Sequence, residues 1–580
     1  MLADYHRRPS RASIVLMTTS PAPRNGLSHV SGTSAAPLSA DTIPTLLAQT
    51  TSRHSSRPAV VFREQNVRWT WSQFYAEVTR FAAGLARLGL KRGDRIGIWS
   101  PNRSEWLVTQ FATAELGLIL VNINPAYRLH ELEYALNASG CRALVTAEQL
   151  RTSNYLEMLQ ALAPELSNST PADLKAQRLP HLQMLIRMGE SATPGMLNYS
   201  EVMKMGASAQ SFDRPVLDCQ DPINIQFTSG TTGNPKGATL THFNIINNAQ
   251  FVAQAMRFTE RDSLCIPVPL YQCFGMVLAV LVCVSSGATM VFPGEVFDAE
   301  TTLSAVAAER CTALHGVPTM FIAELDHARF KDFDLSTLRT GIMAGAPCPI
   351  ETMKRVVAQM NMREVTIAYG MTETSPVSFQ SSTTDPLERR VSTVGRIQPH
   401  LEAKIVDAYG ATVLVGQRGE LWVRGYSVMK GYWGDEKRTG EAIVDGWMRT
   451  GDLATFDKEG YCNIVGRVKD MLIRGGENVY PREVEEFLFR HPKVQSVQVF
   501  GVPDPKYGEE VCAWIILKPG EEATAEEIRA FCHDQIAHYK IPRYVRFVTE
   551  MPMTITGKVQ KFVMRERMIE ELRLPSTETA

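Results

Sequence analysis

Two periodicities alternate between residues 71 and 146, and that alternation constrains the fold more than any other feature of the chain. Trp71, Phe74, Val78, Phe81, Leu85 and Leu88 recur at spacings of three and four. This spacing predicts an amphipathic helix over 72–88, with Gly89 as its stop. Residues 95–99 then read as a strand, 105–116 as a helix, 118–123 as a strand, 129–137 as a helix and 143–146 as a strand. Repeated strand and helix alternation implies α/β layers with parallel pairing.

At 580 residues and 44% hydrophobic content, the chain is long enough for two or more domains. Between about residues 164 and 221 the pattern breaks into polar, proline-containing pieces such as Ser167-Asn168-Ser169-Thr170-Pro171, which reads as a surface connection. After Gly395 short β-rich segments at 402–406 and 419–423 suggest a small barrel. A boundary is expected near Arg467-Val468-Lys469-Asp470; beyond it Pro481 opens a helix carrying Val484, Phe487 and Leu488, and a strand follows over 494–500. The expected architecture is therefore α/β. A large N-terminal domain (41–468) holds two layered α/β subdomains plus a small β-barrel, and a small mobile α+β C-terminal domain (469–575) follows.

Residues 1–40 differ in texture, being rich in Ser, Ala, Pro and Thr, with Arg7, Arg8, Arg11 and Arg24 and a single acid, Asp4. They read as a disordered or targeting extension, either a mitochondrial transit peptide or a low-complexity start with Met17 as an alternative first residue. The expected location follows that choice: mitochondrial matrix if the extension is a transit peptide, bacterial cytoplasm otherwise. With 60 basic against 61 acidic residues there is no global charge to attract nucleic acid or an anionic membrane. The ten cysteines are scattered without a CxxC pair, so they read as reduced and structural. The longest apolar run, from Met276 to Val284, is too short for a membrane helix and reads as a buried one.

The run Phe227-Thr228-Ser229-Gly230-Thr231-Thr232-Gly233-Asn234-Pro235-Lys236-Gly237 carries the first chemistry. Glycines let backbone amides converge on an anion, hydroxyls add neutral donors, and Lys236 adds a point charge, so the run suits a polyphosphate. It is not a Walker loop, because Pro235 precedes the lysine and Gly237-Ala238 follow it.

Five further motifs follow in order: Ala368-Tyr369-Gly370-Met371-Thr372-Glu373-Thr374, Thr450-Gly451-Asp452-Leu453, Gly466-Arg467-Val468-Lys469-Asp470, Arg474-Gly475-Gly476-Glu477-Asn478-Val479 and Thr554-Ile555-Thr556-Gly557-Lys558. Together they resemble the adenylate-forming superfamily of acyl-CoA synthetases, peptide-synthetase adenylation domains and beetle luciferases. The resemblance spans roughly residues 42–570 and is strongest to fatty acyl-CoA synthetases of the medium-chain type. It implies an ATP- and Mg²⁺-dependent acid:CoA ligase that forms an acyl-adenylate and then a thioester. Aryl or short branched acids are the alternative substrates, and a weakened nucleotide- or acyl-CoA-binding homologue is the alternative function.

The resemblance also implies roles. Thr228, Ser229, Gly230, Thr231, Thr232, Gly233 and Lys236 would hold the β- and γ-phosphates, Thr372 would donate to phosphate, and Glu373 would ligate Mg²⁺. Tyr369 would stack on adenine with Gly370 beside it and Gly345, Ala346 and Pro347 as the opposite wall; Asp452, supported by Arg467, would accept from the ribose hydroxyls. Lys558 would bridge the acyl carboxylate and α-phosphate, Lys469 would be the hinge, and Gly475 and Gly476 would line a pantetheine tunnel. Gln272, Phe274, Val317 and Met371 would border the acid, while Met276 and Phe321 fit an acyl pocket and a buried core equally. Gln272 departs from the pattern, because many family members carry histidine there. Glutamine donates through its amide but cannot titrate. The expected partners are a carboxylic acid, ATP and CoA, without nucleic acid or a transmembrane segment, and with a homodimer left open.

Overall fold

The computed structural model describes residues 22–209, 212–228, 235–475, 477–533, 535–554 and 558–574. Helix Trp71–Arg87 realises the opening periodicity and begins with a capping box: the Thr70 hydroxyl accepts from the Gln73 N–H and the Gln73 side chain accepts from the Thr70 N–H. Its Phe74, Val78, Phe81 and Leu85 are fully buried. Strands Arg95–Trp99, Ile119–Asn122 and Cys141–Thr146 lie parallel in the centre of an eight-stranded sheet, with helices Ser104–Glu115 and Leu129–Ser139 between them in sequence. Ile119–Asn122 also pairs in parallel with Pro222–Thr228, which turns back as an antiparallel hairpin into Lys236–Thr241; Gly431–Tyr432 closes that edge.

A second, nine-stranded sheet has a parallel centre made by Glu364–Gly370, Thr340–Met343, Ala313–Leu314, Ser263–Cys265, Thr289–Phe292 and Pro58–Phe62, with antiparallel strands at both edges. These two sheets are the two layered α/β subdomains expected from the alternation. Between them runs the apolar segment Phe274–Leu281, a π-helical stretch that continues into the α-helix Val282–Ser286; Met276 through Val284 are buried. The barrel expected after Gly395 takes the form of a half-barrel, a six-stranded antiparallel sheet that includes Leu401–Val406, Gly419–Gly425, Trp447–Phe456 and Cys462–Arg467.

Two expectations need correction. Residues 164–221 are not a surface connection throughout. Met184–Arg187 and Leu197–Asn198 add two parallel strands to the eight-stranded sheet, and helix Tyr199–Ala207 packs on Trp71–Arg87. The crossing is close because glycines stand on both helices: a Cβ on Gly84 would lie 2.2 Å from the Val202 carbonyl oxygen, and one on Gly206 would lie 1.8 Å from that of Arg80. Residues 22–40 also do not behave as the expected extension. His29–Ser31 pairs antiparallel with Leu401–Val406, Val30 and Ala36 are buried, and Ser28 donates to the Leu414 carbonyl. A three-residue strand leaves no periodic signal. Residues 1–21, with Met17 and the arginines at 7, 8 and 11, lie outside the described residues.

The C-terminal unit is a five-stranded mixed sheet with helix Pro481–Leu488, as its motif predicted, and helices Ala525–Cys532 and Lys561–Leu572. Strand Gly508–Leu517 alternates strictly, sending Val511, Ala513 and Ile515 into one apolar cluster and Cys512 and Trp514 into another. Both faces of this sheet are thus covered. Contacts to the large region include Arg482 Nη1 donating to the Ile464 carbonyl (2.6 Å), Gln495 Nε2 donating to Asp326 Oδ2 (2.8 Å) and the Arg418 guanidinium 3.7 Å above the Tyr480 ring. Among the described residues no helix is long and apolar enough to cross a membrane. All ten cysteines are free and nine are buried.

Candidate active site

Tyr369 ends strand Glu364–Gly370, and the chain turns sharply behind it. A Cβ on Gly370 would lie 1.7 Å from the Pro376 carbonyl oxygen, so only glycine permits this turn. The Met371 N–H donates to that carbonyl and the Thr374 hydroxyl donates to it as well (both 2.9 Å), which fixes the short 3₁₀ turn Thr372–Thr374. Tyr369 stands on the strand before this turn and Glu373 at its centre.

The Tyr369 hydroxyl donates to Asp452 Oδ2 at 2.5 Å, and Arg467 Nε donates to Asp452 Oδ1 at 3.2 Å. Asp452 and Arg467 stand directly opposite one another on adjacent antiparallel strands of the half-barrel, so strand register alone places the pair. Asp452 is buried. Burial raises its pKa, with the Arg467 charge and the Tyr369 hydrogen bond opposing that shift. Burial and the neighbouring Asp452 carboxylate push the Tyr369 phenol well above its ordinary range.

Gly345, after strand Thr340–Met343, has φ +87°, and its missing Cβ would stand 3.2 Å from Val317 Cγ1. Gly345 and Pro347 are exposed, whereas Val317 is buried behind them.

The run expected to hold phosphate is described only at its two stems. Thr228 and Lys236 are cross-strand partners, and the Thr228 hydroxyl lies 3.3 Å from Glu373 Oε1 and 3.4 Å from the Lys236 carbonyl. Ser229, Gly230, Thr231, Thr232 and Gly233 lie outside the described residues, as do Gly476, Ile555, Thr556 and Gly557. Glu373 is buried; its Oε1 also accepts from the Tyr432 hydroxyl at 2.9 Å, and its carbonyl accepts from the Met429 N–H. The Lys236 ammonium stands 5.0 Å above the Tyr432 ring. Tyr432, absent from the sequence motifs, therefore joins two groups that the motifs supplied separately.

Lys558 reaches the same cleft from the C-terminal unit. Its backbone is held to Thr554, whose N–H donates to the Lys558 carbonyl (2.8 Å) and whose hydroxyl accepts from the Lys558 N–H (3.1 Å). Desolvation in the cleft lowers the Lys558 pKa, the Arg467 charge lowers it further, and Glu373 and Asp452 act to raise it. The Lys558 residue is exposed at the surface, and the charges that bear on it are those of Arg467, Glu373 and Asp452. Gly475, at φ +59°, belongs elsewhere: its N–H donates to the Tyr507 carbonyl (2.8 Å) within the C-terminal unit.

Of the residues expected to border the acid, Val317 is buried, and Phe274 and Met371 pack against the same apolar cluster. Phe274 lies 5.6 Å, centroid to centroid, from His315. His315 is fully buried: Nδ1 accepts from the Ile342 N–H (3.2 Å) and Nε2 donates to the Leu278 carbonyl (3.0 Å), and burial lowers its pKa to about 4. It is a neutral structural histidine. Gln272 is half-buried, and its amide makes no hydrogen bond to the described residues. Met276 and Phe321 are both buried, and the Met276 sulfur accepts from the Asn122 and Gln226 amides at 3.2 and 3.0 Å.

A tyrosine–aspartate pair carried on two different sheets, the stems of a glycine-rich hairpin with its lysine, and a second lysine on a small C-terminal unit define an enzyme of the adenylate-forming class. The family model described as AMP-binding enzyme matches residues 47–433 and that of the AMP-binding enzyme C-terminal domain matches 483–558, so the chain belongs to the AMP-binding enzymes. It is 51% identical over 543 residues to YngI of Bacillus subtilis (strain 168), a protein named provisionally as an acyl-CoA synthetase, covering 93% of this chain and 99% of that one. It is 47% identical over 567 residues to the mitochondrial medium-chain acyl-CoA ligase ACSF2 of Bos taurus, covering 96% and 92% of the two chains. Among solved structures, the anthranilate CoA ligase AuaEII in complex with anthranoyl-AMP superposes with a TM-score of 0.84 at 27% identity, covering 93% of this chain and 99% of that one.

Proposed function

We propose that this acyl-CoA synthetase activates a medium-chain fatty acid, with ATP and CoA as co-substrates and AMP and pyrophosphate as products. The observation that carries the reading is the arrangement in the large region, where Asp452 holds both the Tyr369 hydroxyl and Arg467 while the Thr228 and Tyr432 hydroxyls meet Glu373 beside Lys236. The relative ACSF2, named for medium-chain acids, supports the choice of substrate.

In the first half-reaction an acid carboxylate oxygen attacks the α-phosphorus of ATP and pyrophosphate leaves roughly in line. Both reactants are anionic, so positioned cations and donors supply most of the rate. Tyr369 and the Gly345-Ala346-Pro347 turn enclose adenine, while Asp452 accepts from the ribose hydroxyls and keeps its bonds to Tyr369 and Arg467. Thr228, Thr372 and Lys236 take the β- and γ-phosphates. Lys558 neutralises charge where the carboxylate and α-phosphate meet.

The residues also fit Mg²⁺. No cluster of three acidic, histidine or cysteine side chains able to hold a metal ion occurs among the described residues, and Glu373 accepts hydrogen bonds there through Oε1 alone. One carboxylate completed by phosphate oxygens and water suits that ion, which when bound neutralises phosphate charge.

In the second half-reaction the CoA thiol attacks the adenylate carbonyl and AMP leaves. Lys558 has no role in that step, and a turn of residues 469–575 about Lys469 withdraws it and brings the Gly475-Gly476 loop to the cleft. Glycines there leave room for pantetheine. Gln272 sets acid choice without a titrating group. Pyrophosphate release measured over an acid panel, with and without CoA, tests the reading. Release that depends on medium-chain acids, with thioester formed only when CoA is added, supports it; acid-dependent release that never yields thioester overturns it.

A further inference from the structure

Tyr432 stands at the meeting point of the two phosphate-handling groups, yet it belongs to no motif. It sits in the two-residue edge strand Gly431–Tyr432, paired to Lys236–Thr241 with Ala238 opposite it, and its N–H donates to the Thr439 hydroxyl at 2.8 Å. The ring is therefore fixed at its base. It is 7% exposed, its hydroxyl donates to Glu373 Oε1 at 2.9 Å, and its face lies 5.0 Å below the Lys236 ammonium. A core tyrosine would satisfy its hydroxyl on a backbone carbonyl, as Tyr155 does on that of Pro125. Here the hydroxyl meets a buried carboxylate and the ring meets a cation, and both belong to the ATP site.

The geometry points to Tyr432 as a positioning residue for the phosphate end of the site: its hydroxyl aims the Glu373 carboxylate and its ring parks Lys236 until nucleotide arrives. This rests on the ligase reading above and adds to it a residue that acts through two others. Hydrogen-bonded partners of ligating carboxylates commonly change metal affinity by 10- to 100-fold when removed. A cation held against a ring in a partly desolvated site is kept from competing carboxylates. Thr228 contributes a second hydroxyl to the same oxygen, at the longer distance of 3.3 Å. Tyr432 is thus the stronger of the two constraints.

The test is calorimetric binding of ATP to the full chain without acid, with Mg²⁺ or with EDTA, for wild type, Tyr432→Phe and Tyr432→Phe in a Glu373→Gln background. Wild type should bind ATP more tightly with Mg²⁺. Tyr432→Phe keeps the ring, so metal-free ATP binding should be unchanged while the Mg²⁺ concentration for half-saturation rises about tenfold. In the Glu373→Gln background the same substitution should have no further effect on Mg²⁺ dependence. A second measurement uses the native shape: 3-fluorotyrosine placed at 432 should show a ¹⁹F shift on addition of ATP with Mg²⁺ and a smaller one with ATP and EDTA. Unchanged Mg²⁺ dependence in Tyr432→Phe, or a ¹⁹F signal indifferent to nucleotide, overturns the positioning role and leaves the ligase reading intact. Failure of wild type to bind ATP at all overturns the ligase reading itself.

Discussion

Tyr369, Asp452 and Arg467 stand on strands of the large region and hydrogen-bond to one another, whereas Lys558 stands on the C-terminal unit and is exposed. The first group is set by sheet register and burial; the second depends on how two units are docked. On the proposed reading, nucleoside recognition is pre-organised by strand register and the chemistry is conditional on domain placement. An enzyme with two successive half-reactions gains from this division, because the nucleoside stays bound while one catalytic group leaves.

The contrast can be broken most strongly at Lys558. Lys558→Ala should lower acid-dependent pyrophosphate release by about 10²- to 10³-fold while ATP affinity, measured by calorimetry, stays near wild type. On the pre-organised side, Tyr369→Phe removes the donor to Asp452. A hydrogen bond to a charged group is worth about 1.5–3 kcal/mol, so KM for ATP should rise roughly tenfold or more with kcat little changed. A drop in kcat alone would blur the distinction between the two sides.

How much of this was legible in the sequence follows the same line. The helix over 72–88 and the strands around it announced themselves by period, and Asp452 and Arg467 by their motifs; strand register then paired them. Residues 184–187 did not, because four consecutive buried residues between polar loops show no alternation and too little length. The π-helical stretch Phe274–Leu281 is apolar on every side, so its run signalled burial without a phase. Tyr432 was hidden differently. One of sixteen tyrosines, in a two-residue strand, it acquires meaning only when the fold brings Glu373 and Lys236 to it.

A pH series sharpens the conditional side. Desolvation and the Arg467 charge lower the Lys558 pKa, and the protonated form is the one that stabilises developing negative charge. Adenylation should therefore fall as pH rises through a value below the ordinary lysine pKa of about 10.4. Lys558→Arg, which stays charged, should remove that alkaline limb even if the rate is lower; a limb that persists would assign it to another group. The smallest effect belongs to the scaffold. Gly84→Ala places a methyl 2.2 Å from the Val202 carbonyl and must push the helices Trp71–Arg87 and Tyr199–Ala207 away from each other, costing about 1–3 kcal/mol of stability, read as a lower Tm, with KM for ATP unchanged.

The most direct test of the division of labour gives Lys558→Ala a synthetic acyl-adenylate and CoA and measures thioester formation beside pyrophosphate release from ATP and acid. Thioester should form from the adenylate at a rate within a few-fold of wild type while adenylation collapses. Equal loss of both half-reactions would refute the division, because Lys558 would then act in a site that does not change between the steps.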